Sequence, residues 1–194
     1  NKMKLEIIIL ISYLLGSVPF GFLLTKIFLN KDIRKIGSGN IGATNALRTG
    51  NKTLGYATLI LDILKALMPV IFVKIYFSDY LYISSLCVFL GHVFPIWLKF
   101  KGGKGVATYV GILCCINIYL GISFGIVWLI TFVMFKYSSL SSIVSTLSIP
   151  IINFLFFNDQ IFYFFIIMFI LIFYTHRENI KRLLNRTESK TKIY

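Results

Sequence analysis

Apolar residues run along this chain in long unbroken blocks, without the period-two alternation of a half-buried strand. The blocks cover residues 5–29, 54–77, 80–98, 106–135, 141–157 and 161–175. A helix crosses the hydrocarbon core in about 20 residues, with 17–25 the usual range. An outer-membrane strand would show roughly ten residues of alternating polarity. The pattern therefore predicts an all-α integral membrane protein. The first block, 25 residues, is longer than a signal core of about 7–15 residues and ends in no small-residue cleavage pattern, so it is expected to remain as a span.

Block 106–135 holds 30 residues without a charge, or roughly 45 Å of helix at about 1.5 Å per residue. It is either one strongly tilted helix or two short ones broken near 117–121. Charge separates the two, because cytoplasmic loops are enriched in Lys and Arg. With two helices there are seven spans, and segments 30–53, 99–105, 136–140 and 176–194 share one side. Those segments hold 15 of the 20 basic residues. With one helix the six basic residues of the tail would move to the opposite side. Seven transmembrane helices, amino terminus outside and carboxyl terminus cytoplasmic, is the expected topology. The outer connections are then very short, near Ser78 and Asp79, near Leu120, and at 158–160.

Composition supports this class. The 194 residues are 57% hydrophobic and 14% charged, with mean hydropathy +0.83. Soluble domains are about 45–50% apolar and about 25% charged. An aromatic share of 16% excludes disorder. The net charge of +13 reads as the positive-inside bias, with anionic-lipid contacts worth about 1 kcal/mol per basic residue, and not as nucleic-acid binding. Cys87, Cys114 and Cys115 lie inside apolar blocks without paired spacing and read as packing residues. No repeat or linker is visible, so a single polytopic membrane domain over 1–194 is expected. Nearly all the polar chain falls on the cytoplasmic face, and chemistry concentrates on loops held by a rigid scaffold.

Three polar segments carry candidate chemistry. The first, DIRKIGSGNIGATNALRTG over 32–50, sets Gly37, Gly39, Gly42 and Gly50 among Ser38, Asn40, Thr44 and Asn45, with Arg34 and Arg48 at its flanks. Glycines let main-chain N–H groups converge on an anion, and hydroxyl and amide side chains add donors. Arg48 suits a two-pronged phosphate contact. No strand precedes the segment, and Ala43 stands where a dinucleotide fingerprint needs glycine. The second, GHVFPIWLKFKGGKGVAT over 91–108, places Lys99, Lys101 and Lys104 around Gly102, Gly103 and Gly105 just before a helix. A helix amino terminus preceded by glycines and lysines suits phosphate. The third, HRENIKRLLNRTE over 176–188, puts His176, Asn179 and Leu183 on one face of a continuing helix, with Arg177, Lys181 and Glu188 elsewhere.

Asp62 and Lys65, three apart inside a span, read as an ion pair facing the bundle interior, with orientation of the phosphate loop as the sharper alternative. His92 reads as a packing histidine. Ser138, Ser139, Ser141 and Ser142 are placed to cap the sixth helix, and one of them could line the site. No Ser/His/acid constellation, no HxxxxD pair and no metal-ligand cluster is present in the sequence, so no metal and no cofactor are expected. What remains is chemistry run by anion binding and positioning.

Together the three segments resemble the cytoplasmic motifs of the bacterial acyl-phosphate:glycerol-3-phosphate acyltransferases, the PlsY family. The likeness covers essentially all 194 residues, with the motifs in order between the right spans. It implies transfer of a fatty acyl group from acyl phosphate to the sn-1 hydroxyl of glycerol 3-phosphate, giving lysophosphatidic acid and phosphate. It implies the bacterial cytoplasmic (inner) membrane, with the active site facing the cytoplasm. Carried over by position, Ser38, Asn40, Thr44, Asn45 and Arg48 match the first motif. Gly102, Gly103, Lys104 and Gly105 match the second, His176 and Asn179 the third, and Asp62 with Lys65 the family's Asp-x-x-Lys. Ala66 and Asn185 depart from the pattern, each standing where glycine is common.

The resulting expectation assigns Ser38, Arg48, Lys104, His176 and Asn179 to catalysis. Gly37, Gly39, Asn40, Gly42, Thr44, Asn45, Gly102, Gly103, Gly105 and Ser141 are assigned to substrate binding. Partners are the two substrates and membrane lipids, with no nucleic acid, and the chain is expected to act as a monomer. A transporter or channel for a phosphorylated metabolite is the competing reading. Such proteins place their sites at the midplane on broken helices, often in inverted repeats, and no repeat is visible here. A noncatalytic lipid-binding subunit would leave the polar motifs without a purpose.

Overall fold

The computed structural model describes residues 2–157 and 161–191. Among the described residues every regular element is helical, and the chain divides into two compact units, Asn1–Ile116 and Asn117–Tyr194. The first contains α1 (Lys2–Gly16), α2 (Phe20–Leu29), the short α3 (Ala43–Leu47), α4 (Lys52–Tyr76), α5 (Leu81–Val93) and α6 (Val106–Ile116). The second contains α7 (Ile118–Phe135), α8 (Ser138–Phe156), α9 (Phe162–Thr175) and α10 (Arg177–Leu184).

Two of the expected runs are interrupted at prolines, and the break expected within a third is present. The run 5–29 is two helices, because Pro19 has no N–H to donate and disfavours helical backbone at Val18. Lys65 Nζ bonds the Val18 carbonyl at this break, at 2.7 Å. The run 80–98 stops as regular helix at Val93, ahead of Pro95, and a single 3-10 turn Ile96–Leu98 follows. The run 106–135 is two helices separated by extended Asn117 (φ −151°), whose side chain accepts from Tyr119 N at 2.9 Å. The break thus falls at Asn117, while Leu120 is buried within α7. The serines do not cap α8. Tyr137 precedes the helix without a side-chain cap, and the hydroxyls of Ser141 and Ser142 donate backwards to Tyr137 O and Ser138 O, each at 2.9 Å. The connection expected at 158–160 lies outside the described residues.

Among the described residues, four helical stretches suffice by length and composition to cross a membrane: Lys2–Leu29, Ser78–Leu98, Ile118–Phe135 and Ser138–Phe156. Val106–Ile116 and Phe162–Thr175 are apolar but shorter. The 25-residue α4 contains Asp62, Lys65 and Lys74. In the first unit α4 packs on α6 and α1 on α5, around fully buried Val70, Phe89, Ile112 and Leu113. Small residues bring α1 and α5 close, and Ser12 Oγ and Ser84 Oγ share a 2.8 Å hydrogen bond. In the second unit α8 packs against both α7 and α9, around Ile149, Phe165, Met168 and Ile172. Large apolar side chains such as Met68, Phe156 and Tyr163 point outward, as a hydrocarbon solvent allows.

Candidate functional site

In the first unit, segment 32–50 is a loop tied around one side chain. Asn45, on α3, is buried, and its amide nitrogen lies 2.7 Å from Asn40 O, 2.9 Å from Ile36 O and 3.1 Å from Ile33 O. Its Oδ1 accepts from Ser38 N at 3.0 Å. Asn45, expected to donate to substrate, is therefore spent inside the loop and shapes it. Asn40 Oδ1 accepts from Gly42 N at 2.8 Å and so sets the entry to α3, where Thr44 is half-buried. Arg34 is likewise engaged. Its guanidinium bonds both oxygens of Asp32 at 2.9 and 2.8 Å, holds that carboxyl down at about 2, and covers the Phe22 ring.

Ser38 and Arg48 remain exposed on this frame. Gly37 has φ +53°, and a Cβ there would meet Asn45 Oδ1 at 2.5 Å and Arg48 Cδ at 2.8 Å. The Arg48 side chain thus lies directly on a glycine that no larger residue can replace. Ser38 and Arg48 thus lie at one glycine turn.

Segment 91–105 folds back onto the end of α5. Gly102 N donates to Val93 O and Gly103 N to His92 O, both at 3.0 Å. The glycines in this sequence were expected to admit a phosphate to the backbone. In the structure their immediate need is helix contact, since a Cβ on Gly103 would collide with the His92 ring and one on Gly105 with the Phe89 ring. Lys104, half-buried, follows this turn and stands two residues before α6. Beneath the turn, Asp62 and Lys65 form the expected ion pair at 2.7 Å, both side chains 3% exposed.

In the second unit the third motif is not a continuous helix. His176, at φ −95° and ψ 4°, separates α9 from α10. Its Nδ1 lies 2.8 Å from Ile172 O. A carbonyl can only accept, so Nδ1 carries a proton. His176 and Asn179 are both buried, as a shared face requires. Asn179 donates to Glu188 Oε1 at 2.7 Å, and its own Oδ1 is buried without a hydrogen bond. Ser141, also expected in the substrate set, is fully buried and bonded to its own helix.

Glu188 is the residue that sequence reasoning misplaced. After α10 the chain reverses at Arg186, φ +57°, and Thr187 N bonds Arg182 O at 2.8 Å. The left-handed position is thus Arg186 and not Asn185, so the glycine usual at 185 is not required by conformation. The reversal carries Glu188 over α10, where it accepts from Ser139 at 2.8 Å, Asn179 at 2.7 Å and Arg182 at 2.7 Å. Burial pushes its carboxyl up, but these bonds together outweigh that and hold it below the usual carboxylate range. The only advance signal was an acid set among the basic residues of the tail.

A depressed native value means that this docking is fully present above the ordinary carboxyl range and is lost as pH falls through the native value. Hydrogen exchange over 176–191 is therefore expected to accelerate on acidification in the wild type. Glu188→Gln should exchange fast at neutral pH and lose that acid dependence, because each hydrogen bond to a charged group is worth about 1.5–3 kcal/mol. A tail with the same exchange profile in both proteins would refute the role of the carboxylate.

Comparison with known proteins places these features in context. The family model described as glycerol-3-phosphate acyltransferase matches residues 6–186. A glycerol-3-phosphate acyltransferase of Pelagibacter ubique (strain HTCC1062) is 69% identical over 192 residues, covering 99% of this chain and 100% of that protein. One of Rhodopseudomonas palustris (strain HaA2) is 49% identical over 183 residues, covering 94% and 93%. The crystal structure of PlsY, described as an integral membrane glycerol 3-phosphate acyltransferase in its glycerol 3-phosphate form, aligns with TM-score 0.91. It is 35% identical, with 97% of this chain and 96% of that one covered.

Proposed function

This chain belongs to the glycerol-3-phosphate acyltransferase family, and from that premise we propose that it transfers a fatty acyl group from acyl phosphate to the sn-1 hydroxyl of glycerol 3-phosphate. The hydroxyl oxygen attacks the acyl carbonyl carbon, and the bond from that carbon to the phosphate oxygen breaks. The hydroxyl proton passes to a substrate phosphate oxygen, leaving lysophosphatidic acid and phosphate. Acyl phosphate is already activated, so the protein mainly orients the reactants and stabilises developing negative charge.

The observation that carries this reading is a division of labour among polar groups. In the first unit they are cations and donors: Ser38 and Arg48 at the Gly37 turn, and Lys104 ahead of α6. In the second, the buried Asn179 Oδ1, three residues from His176, is an acceptor. Phosphates need the former and glycerol hydroxyls the latter. Arg48 and Lys104 neutralise phosphates, Ser38 and Asn40 position acyl phosphate, and His176 and Asn179 orient glycerol 3-phosphate. Seven spans, an amino terminus outside, an inner-membrane location with a cytoplasmic active site and a monomeric enzyme complete the proposal. The gathering of 15 of 20 basic residues in four segments supports that topology.

The test is turnover by purified protein in detergent, where vectorial transport cannot occur. Glycerol 3-phosphate is offered with acyl phosphate, acyl-CoA or acyl-carrier protein in turn. Acyl phosphate alone is expected to support product formation, because no motif in the chain suits a nucleotide or a carrier. Comparable rates with acyl-CoA would remove the donor assignment, and no product from any donor would favour the transporter.

A further inference from the structure

Three ionisable side chains within the first unit have no part in the proposed reaction. Lys65, Asp62 and His92 are each 3% exposed in their side chains. Lys65 Nζ reaches Asp62 Oδ1 at 2.7 Å and Val18 O, at the break between α1 and α2, also at 2.7 Å. Asp62 Oδ1 also faces His92 Nδ1 at 3.8 Å, and Nδ1 makes no hydrogen bond. The opposite edge of the same ring, at Nε2, is the surface on which Gly103 lies, while the main chain of His92 and Val93 accepts from Gly103 and Gly102.

Apolar residues would join these helices at lower cost, since replacing a buried ion pair by neutral groups of like volume is often neutral or stabilising. Ionisable groups in a membrane segment are by default functional. The pair faces the His92 ring, whose opposite edge lies against the glycine turn. We propose that Lys65 and Asp62 are positioning residues, which act through the His92 ring to hold the Gly102–Lys104 turn in one conformation. The proposal rests on the reading above, that this turn holds a substrate phosphate. Lys65 anchors the carboxylate to the α1–α2 break, and the carboxylate faces the ring nitrogen. The ring fixes the height of Gly103 and, with it, of Lys104.

The principal variant is D62N/K65M, which removes both charges and leaves His92 and the turn unaltered. His92→Gln is the second. It keeps an atom towards Gly103, removes the one facing Asp62, and leaves the ion pair intact. Both are made in the full chain in detergent. Two readouts are taken, hydrogen exchange over 99–108 and steady-state kinetics with each substrate varied. We expect faster exchange at Gly102 and Gly103. We also expect kcat/KM to fall by up to about 10²-fold, the cost of a displacement near 1 Å at Lys104. A purely structural role would lower the amount of folded protein and leave kcat/KM at matched folded amounts, and exchange at Gly102 and Gly103, unmoved. Either readout at its wild-type value in the folded double variant overturns the proposal, and His92→Gln decides by the same criteria should the double variant not fold. Wild-type protein that turns over no acyl donor refutes the functional reading instead, and exchange alone then decides the positioning role.

Discussion

Lys104→Ala is expected to lose about 10²–10³ in turnover, the cost of removing one preorganised donor from a site where charge develops. Lys99→Ala, five residues earlier in the same basic segment, is expected to lose almost nothing. Lys104 is half-buried in a turn pinned to the end of α5 and stands just ahead of α6, where unpaired N–H groups and the helix dipole also favour an anion. Lys99 is exposed at the end of the 3-10 turn Ile96–Leu98. A lysine that serves only topology shares that task with the other basic residues of its side, so its removal is cheap. Turnover of the two variants is compared at matched folded amounts, with monodispersity in detergent as the check on folding. Equal and mild losses would make the KGGKG segment a topological signal and remove the second phosphate site.

Gly103→Ala is the second large effect. A methyl group there would enter the His92 ring, whose Cε1 and Cδ2 would lie 2.7 and 2.9 Å away. His92 is buried in the bundle and has no room to retreat. The turn must then lift from α5 and give up its hydrogen bonds to His92 O and Val93 O. Overpacking of this kind costs about 1–3 kcal/mol, and a displacement near 1 Å at the lysine that follows costs about 10²-fold in rate. Gly125→Ala is the control, because a Cβ at Gly125 in α7 meets nothing within 4 Å. Its activity should be wild-type and its thermal midpoint unchanged or raised, as helix propensity predicts. A Gly103→Ala enzyme of normal activity would mean that the turn is not held against α5 in the working protein.

Some of this was written in the chain before it folded. The length of its apolar blocks dictates membrane helices, since hydrocarbon leaves no other way to satisfy a main chain. Asn117, a polar residue inside a 30-residue apolar block, marked where that block breaks. The spacing of Asp62 and Lys65, one helical turn, already made them partners. The glycine and lysine clusters announced anion chemistry because few other purposes combine those residue types. Each of these is a local property, readable within a turn or two of helix.

What the tertiary structure alone decided involves residues far apart in sequence. Nothing near Glu188 says that Ser139, 49 positions earlier, will donate to it, or that Lys65 will cap a carbonyl 47 positions away at Val18. The glycines of 102–105 looked like room for a ligand, and only the fold set the His92 and Phe89 rings against them. Asn45 looked like a substrate donor until three carbonyls of its own loop claimed its amide. Apolar periodicity encodes which face of a helix leaves water, a one-dimensional property. A polar side chain's partner is set by whichever unsatisfied group the packing brings within about 3 Å. That choice exists only once the helices are assembled.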